Sequence, residues 1–115
     1  MKLLFKNKKV EKQFSSKYKH LWSYPKQVQI KLEAAENFIT NASSLIDIAN
    51  YSPFRLEKLQ GDRKNEWSIR LGNTGYRVTL HPCDDQGNSL ISGDILAKSK
   101  SIKIILVTEV SNHYE

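Results

Sequence analysis

The sequence is poor in cysteine, since Cys83 is the only one in 115 residues. A single cysteine excludes an internal disulfide and a structural zinc site built on cysteine pairs. Such usage is ordinary in a reducing compartment, so we expect a cytoplasmic protein. Apolar runs are short as well: three apolar residues follow Lys2 before the next charge, too few for a signal peptide, and no run approaches membrane-spanning length.

Glycine-rich phosphate loops of the Walker and Rossmann types are also absent, and the chain has no internal repeat. We therefore expect neither a cofactor nor a metal. A length of 115 residues is enough for one hydrophobic core without disulfides, so residues 1–115 are expected to form a single domain.

Positive charge is concentrated in the first third of the chain. The formal net charge is +6, and residues 1–31 hold nine lysines against one acidic residue, Glu11. A basic segment of this kind suggests a nucleic acid, an acidic protein partner or a membrane surface as its target, and it is equally compatible with a solvated lysine-rich face. The charge alone does not distinguish between these targets and a solvated face.

Apolar residues that recur every three or four positions predict helices in the N-terminal half. The first is expected over residues 9–21, and the second begins at Pro25 as a first helical position and ends near Asn41. A short third helix is expected after Ser44, and Pro53 is expected to end helical structure. The apolar positions are Val10, Phe14, Tyr18, Leu21 and Trp22 in the first, Val28, Leu32, Ala35 and Ile39 in the second, and Leu45, Ile48 and Ala49 in the third.

Residues 66–80 have the alternating pattern of a β-hairpin around a turn bounded by Gly72 and Gly75. If residues 72–75 form the loop, the register follows from the alternation. One face is then apolar and the other carries two arginines. The expected facing pairs are Leu71 with Tyr76, Ile69 with Val78, Trp67 with Leu80, Arg70 with Arg77, and Ser68 with Thr79.

Three further strands are predicted, at residues 2–6, within 54–60 and at 102–111. The last has apolar residues on both faces, which is typical of an interior strand covered on both sides. Residues 89–101 are expected to form a loop with a brief strand at Leu90 and Ile91. If the last strand stays regular, Glu109, Ser111 and His113 project from one face.

Helices followed by strands predict an α+β domain. In this architecture two to three N-terminal helices pack on one face of a small, twisted, mostly antiparallel sheet. The opposite face of the sheet would carry Arg70 and Arg77. Because like charges directly opposite each other cost stability, two facing arginines are easier to understand if an anion normally lies between them.

Several segments together resemble the RelE/ParE superfamily of bacterial toxins, and its HigB branch most closely. They are Lys-Leu-Gln-Gly-Asp-Arg at 58–63, Trp-Ser-Ile-Arg-Leu at 67–71 and Gly-Tyr-Arg-Val at 75–78. The resemblance covers residues 54–81 and, more loosely, the last dozen residues. It departs at Glu57 and Gln60, where HigB toxins often carry a histidine and a lysine.

The resemblance implies a RelE/ParE-like fold and the toxin of a type II toxin–antitoxin pair. Such toxins are most often endoribonucleases that cleave translated mRNA on the ribosome. Arg70 and Arg77 correspond to catalytic basic residues of these toxins. His113 and Tyr114 are candidates for their C-terminal catalytic pair.

Cleavage of RNA by its 2′-hydroxyl needs a proton acceptor, stabilisation of charge on the phosphate and a proton donor for the leaving oxygen. Arginine stays protonated, so Arg70 and Arg77 are suited to clamping the scissile phosphate. His113 is the acid/base candidate, with the alternative that it is an exposed terminal residue. Glu109 could orient His113 or act as base, and Tyr114 could stack on a base or donate a proton, with packing of the chain end as its alternative.

Other residues are assigned to RNA contact or to the fold. Lys58, Arg63, Lys64 and Ser68 are predicted to contact RNA, the three basic residues through mRNA or ribosomal phosphates, with a solvated turn as their alternative. No motif accompanies the remaining histidines, which are expected to be structural. These are His20 and His81.

The resemblance also implies partners. They are the ribosome with its mRNA and a cognate antitoxin, expected to be a helix-turn-helix protein of the HigA type; through the antitoxin a larger complex would bind operator DNA. No membrane partner is expected. Two other functions stay open: a ParE-like inhibitor of DNA gyrase, and a basic RNA- or protein-binding module without catalysis.

Overall fold

One short strand and a series of helices form the first half of the chain, and most of the strands lie in its second half. The computed structural model describes residues 1–61, 66–91 and 93–112. Within these ranges the α-helices are α1 (Lys8–Phe14), α2 (Lys26–Asn41) and α3 (Leu45–Ala49). The strands are β1 (Lys2–Phe5), β2 (Glu57–Lys58), β3 (Trp67–Arg70), β4 (Tyr76–Cys83) and β5 (Ile104–Asn112). Short 3-10 segments lie at Ser16–Leu21, Ser52–Phe54 and Ser99–Ser101.

The strands form one sheet in the order β1-β5-β4-β3-β2. The pairs from β5 to β2 are antiparallel, and β1 runs parallel to β5 at the other edge. The predicted α+β class with a mostly antiparallel sheet is confirmed, and so is the interior position of the last strand. β5 is paired with β1 and β4, and of its two apolar faces one is buried in the core, through Ile105 and Val107, while Ile104 and Leu106 on the other are half-buried.

The core lies between the helices and the apolar face of this sheet. The predicted stripe of α2 is buried in full, since Val28, Leu32, Ala35 and Ile39 are each at most 2% exposed. They belong to one cluster with the inward residues of the hairpin and of β5. Each large apolar side chain buried in this way contributes about 1.5–3 kcal/mol to folding. The sheet residues of that cluster include Ile69, Val78, Leu80, Ile105 and Val107.

The prediction of one continuous helix over residues 9–21 is wrong, because α1 ends at Phe14 and a 3-10 segment follows. Ser15 is extended between the two segments. The amide of Ser16 donates to Oε1 of Glu36 on α2 at 3.0 Å, so this backbone group is satisfied outside the helix. After the break Leu21 is 57% exposed, whereas Trp22 is half-buried and still packs against the core.

The structure differs from the sequence prediction in smaller ways at two prolines and at Ser44. Pro25 immediately precedes α2 rather than opening it. Ser44 precedes α3 without a side-chain cap; instead Oδ2 of Asp47 accepts from both the amide and the hydroxyl of Ser43 at 2.8 Å, which lowers the pKa of that carboxyl. Pro53 lies within a 3-10 turn and does not end helical structure.

The strands before and after the hairpin are shorter than the alternation predicts. The segment 54–60 forms a strand only at β2, because Phe54 belongs to a 3-10 turn and Arg55 takes a left-handed conformation with φ 46°. Leu90 and Ile91 are not in a strand. The bridge in this part of the chain joins Cys83 to Ser89.

One irregularity in β5 determines which of its side chains face the core. Thr79 pairs with Glu109, but the next residue, Leu80, pairs with Val107, so Thr108 is an extra residue in the ladder. This arrangement is a β-bulge, and it shifts the alternation of the strand by one residue. The last strand is therefore not regular to its end.

The bulge moves polar residues away from the core and an apolar residue into it. Without it, Glu109 and Ser111 would continue the inward series of Ile105 and Val107. With it, Val110 joins the core at 9% exposure. Glu109 and Ser111 instead lie on the opposite face, where the two arginines are.

The hairpin turn gives a first prediction about stability. Gly72 has φ +60°, and a Cβ added there would lie 3.1 Å from Cε of Lys31. Gly72→Ala is expected to lower the free energy of unfolding by about 1–2 kcal/mol, because the left-handed conformation is unfavourable for alanine. Gly72→Asn should cost less, since asparagine adopts this conformation more readily. Urea denaturation of both variants measures the difference, and equal losses would show that φ is not the cause.

Candidate functional site

The face of the sheet opposite the core carries a continuous set of polar side chains, which we call the arginine face. Strand pairing places them, since Glu57 lies opposite Ser68 and the members of β3 lie opposite those of β4. The members of β5 reach this face through the bulge. The arginine face consists of Glu57, Ser68, Arg70, Arg77, Thr79, His81, Glu109 and Ser111.

Arg70 and Arg77 lie directly opposite each other on β3 and β4, as the alternation predicts. Nη1 of Arg77 is 3.7 Å from Oε1 of Glu57, in a pair that is partly open to solvent. Nε of Arg70 is buried and has no hydrogen-bond partner within the described structure. One arginine is thus partly neutralised by a carboxylate, while the other keeps unused donor capacity.

A second polar group lies further along β4. Nε2 of His81 is 3.4 Å from Oε2 of Glu66, and the same carboxylate oxygen accepts from the hydroxyl of Thr108 at 3.1 Å. The hydroxyl of Thr108 also contacts the carbonyl of Thr79 at 3.2 Å. Imidazole and carboxylate groups are the usual participants in general acid–base catalysis. His81 and Glu66 are therefore candidates for such a role on the same face as the arginines.

The predicted site residues divide into three sets. Arg70 and Arg77 are brought together. Lys58 is exposed on the edge strand β2, and Ser68 lies on the arginine face but is 1% exposed, so its hydroxyl is enclosed. Four candidates lie outside the described residues: Arg63, Lys64, His113 and Tyr114.

Sequence reasoning missed three residues that the structure adds to this region. Extending the alternation of Arg77 and Thr79 by one step would have placed His81 on the arginine face. Glu57 and Glu66 carried no such signal, because the position of Glu57 depends on the pairing of a two-residue strand, and Glu66 precedes β3.

Within the described ranges, no cluster of three or more histidine, cysteine, aspartate or glutamate residues is suited to holding a metal ion. None of the helices in those ranges combines the length and the apolar character needed to cross a bilayer.

Comparison with known proteins adds no assignment: no model of a protein family matches this chain, and no curated protein is significantly similar to it. The residues that bear on function are therefore those of the arginine face and those of the segment 54–81, which carries the resemblance.

Two buried hydroxyls on the arginine face give a second prediction about stability. Oγ1 of Thr79 is buried without a hydrogen-bond partner among the described groups, as is Oγ of Ser68. Thr79→Val removes an unsatisfied polar group with little change of shape, and it is expected to raise the free energy of unfolding by about 1 kcal/mol.

The matched control is Thr74→Val in the hairpin turn. The hydroxyl of Thr74 donates to the carbonyl of Leu71 at 2.7 Å and accepts from the amide of Tyr76 at 3.1 Å. Its removal should lower the free energy of unfolding by about 1–2 kcal/mol. Urea denaturation of both variants should give changes of opposite sign, and a destabilised Thr79→Val protein would contradict the prediction.

Proposed function

We propose that this protein is the toxin of a type II toxin–antitoxin pair and that it acts as a ribosome-dependent endoribonuclease on translated mRNA. The observation that carries the proposal is the pair of arginines, Arg70 and Arg77, directly opposite each other beside the carboxylate of Glu57. Two guanidinium groups in this position suit a phosphate, which each can bind through two parallel hydrogen bonds. The resemblance to RelE/ParE toxins supports the same assignment. The proposal includes a RelE/ParE-like fold for the α+β domain.

In the proposed reaction the 2′-hydroxyl of the nucleotide before the scissile bond attacks the phosphorus atom. A bond forms between the 2′-oxygen and phosphorus, the bond from phosphorus to the 5′-oxygen breaks, and the products are a 2′,3′-cyclic phosphate and a free 5′-hydroxyl. One side chain accepts the proton of the 2′-hydroxyl, and another donates a proton to the 5′-oxygen. Arg70 and Arg77 stabilise the charge that develops on the phosphate.

The proton transfers need other groups, because arginine does not lose its proton in proteins. Among the described residues, Glu57 is the carboxylate beside Arg77 and is suited to accept the proton of the 2′-hydroxyl. His81, held by Glu66, is a second acid/base group on the same face. His113 and Tyr114 remain the candidates that the resemblance supplies for protonation of the leaving oxygen.

The resemblance to RelE/ParE toxins also supports the proposed substrate and partners. Lys58, which is exposed on the edge strand β2, would contact ribosomal or mRNA phosphates, and so would Arg63 and Lys64. A cognate antitoxin of the helix-turn-helix type would neutralise the protein by covering the arginine face. The larger complex would bind operator DNA through the antitoxin.

The test is inducible expression of the protein with and without the neighbouring candidate antitoxin. We expect growth to stop without the antitoxin, and we expect mapping of RNA 5′ ends to locate breaks within translated regions. Blocking initiation on a reporter mRNA should protect that mRNA, because cleavage is proposed to need the ribosome. Arrested growth with intact mRNA and trapped gyrase–DNA complexes would replace the proposal by gyrase inhibition, and RNA binding without breaks would leave a non-catalytic module.

A further inference from the structure

A groove lies on the helical side of the sheet, between α1 and the segment that leads to α2, and we call it the lysine groove. Its volume is about 350 Å³. Both of its walls pack against the core, which lies on the side of the sheet away from the arginine face. The lining residues that matter for binding are Lys9, Lys12 and Gln13 on α1, and Leu21, Trp22 and Tyr24 on the second wall.

Two hydrogen bonds fix the second wall against the end of α1. Nε1 of Trp22 donates to the carbonyl of Lys12, and the hydroxyl of Tyr24 donates to the carbonyl of Gln13, both at 2.9 Å. These carbonyls belong to the last turn of α1, where such groups have no partner within the helix. The rings of Trp22 and Tyr24 lie 5.8 Å apart, and that of Tyr24 packs edge-on against Tyr76 on β4 at 5.6 Å. The groove is therefore preformed, which lowers the entropic cost of binding.

Positive charge lines the wall that α1 forms. Lys9 and Lys12 are both exposed, and within the described ranges neither makes an ion pair or a side-chain hydrogen bond. The nearby carboxylate of Glu11 is already paired with Lys8 at 3.2 Å. No carboxylate is among the described lining residues of the groove. A ligand that carries negative charge is therefore favoured.

Apolar surface lines the other wall. Leu21 is 57% exposed and lies beside the half-buried ring of Trp22. Tryptophan and tyrosine are among the residues that most often anchor contacts between proteins. RNA would match the lysines through its phosphates but would bring no apolar side chain to Leu21. A protein segment brings both carboxylates and an apolar side chain, so it matches both walls.

We propose that the lysine groove binds an acidic segment of another protein, in which carboxylates flank one large apolar side chain. The apolar side chain packs against Leu21 and Trp22, and the carboxylates pair with Lys9 and Lys12. This contact goes beyond the proposed function, because it lies away from the arginine face and needs no cleavage of RNA. It also gives a role to part of the lysine excess in the first third of the chain.

The test measures the affinity of the full-length chain for four probes. They are a short synthetic peptide in which glutamates flank a central leucine, the same peptide with serine for leucine, the same peptide with glutamine for every glutamate, and a single-stranded RNA oligonucleotide. The first peptide is expected to bind about 10- to 100-fold more tightly than the serine peptide, the range that burial of one leucine supplies. The glutamine peptide should bind weakly, and added salt should weaken binding of the first peptide. Equal affinity for the three peptides would overturn the inference, and tighter binding of the RNA in this groove would overturn it in favour of an RNA site.

The two tryptophans of the chain report where the peptide binds. Trp22 lines the groove, whereas Trp67 is buried in the core at 6% exposure. In NMR titrations the indole N–H signal of Trp22 should shift with the first peptide, and that of Trp67 should not. Shifts confined to residues of the arginine face would contradict the proposed location.

Variants at exposed positions test each wall without disturbing the core. Leu21→Ser is expected to reduce the affinity for the first peptide about 10-fold or more. Its matched control is Leu96→Ser, because Leu96 is 51% exposed and does not line the groove. Lys9→Gln combined with Lys12→Gln should lower the affinity to that for the glutamine peptide, and Lys100→Gln, at an exposed lysine elsewhere, should not. Peptide binding that survives both groove variants would overturn the inference.

Arg77→Ala separates the lysine groove from the arginine face. A peptide bound between the arginines would lose affinity in this variant, whereas a peptide bound in the lysine groove should keep it. Loss of affinity in Arg77→Ala but not in Leu21→Ser would remove the groove and leave the proposed function intact. Intact mRNA in cells, together with peptide binding that depends on Leu21, would remove the endoribonuclease and leave the groove.

Discussion

Arg77→Ala is expected to lower the rate of mRNA cleavage by a factor of about 100 to 1,000, the effect of removing one positioned donor from a developing negative charge. Arg77 lies opposite Arg70 and beside Glu57, so its loss leaves the proposed phosphate with a single guanidinium. Growth arrest on expression should weaken in parallel. Primer extension on a reporter mRNA at fixed levels of protein gives the rate.

Two further variants test whether cleavage depends on the guanidinium geometry of Arg77 and on its position in the arginine face. Arg77→Lys keeps the positive charge but loses the paired geometry of the guanidinium, so it should retain only part of the activity. Arg55→Ala removes an arginine from an exposed turn outside the arginine face and should leave cleavage unchanged. Because the Arg77–Glu57 pair is partly exposed and Arg70 repels Arg77, the stability of Arg77→Ala should change by less than about 1 kcal/mol. Full activity of a folded Arg77→Ala protein would contradict the proposed role of the arginines.

The hairpin could be predicted residue by residue because two independent signals agree in it. Alternation fixes which residues share a face, and the glycines at both ends of the loop fix where the chain reverses. The observed pairs from Trp67 with Leu80 to Arg70 with Arg77 follow from these two signals. The central feature of the candidate site was thus available from local sequence.

The failures occur where tertiary contacts compete with a local pattern. The apolar spacing past Phe14 favours a longer helix, but the amide of Ser16 finds a partner in Glu36, twenty residues away. Glu66 lies near His81 and Thr108 because strand pairing brings these distant parts of the chain together. Periodicity carries no information about such contacts, because it describes one element at a time.

The bulge in β5 is the most consequential feature that the sequence did not predict. The run around Thr108 has a uniform β character, so nothing in it marks where an extra residue enters the ladder. The bulge nevertheless determines that Glu109 and Ser111 join the arginine face while Val110 enters the core. Which residues of β5 belong to the candidate site therefore depends on the single extra residue, Thr108.

Deletion of Val110 is expected to be strongly destabilising, because it changes which residues of β5 face the core. Glu109 pairs with Thr79 and Val110 with Val78, so without Val110 the next residue, Ser111, takes the inward position opposite Val78. The loss of Val110 from the core costs about 1–2 kcal/mol, and a hydroxyl buried there without a partner costs about 1–3 kcal/mol more. We therefore expect the free energy of unfolding to fall by about 2–5 kcal/mol, a large share of the stability of a small domain.

Deletion of Thr108 is the matched control, because it removes the extra residue and leaves a regular ladder in which Val107 pairs with Leu80, Glu109 with Thr79 and Val110 with Val78. Glu109 then stays on the arginine face and Val110 in the core, so this deletion should cost only about 1 kcal/mol, the usual value of the hydrogen bond that the Thr108 hydroxyl makes. Urea denaturation followed by tryptophan fluorescence measures both variants, and hydrogen exchange of the Val78 amide reports on the ladder itself. If the two deletions cost the same, the inward position of Val110 does not set the register of β5. If deletion of Val110 alone destabilises β5 and abolishes mRNA cleavage, the alternation after the bulge is what brings the acidic end of the strand to the two arginines.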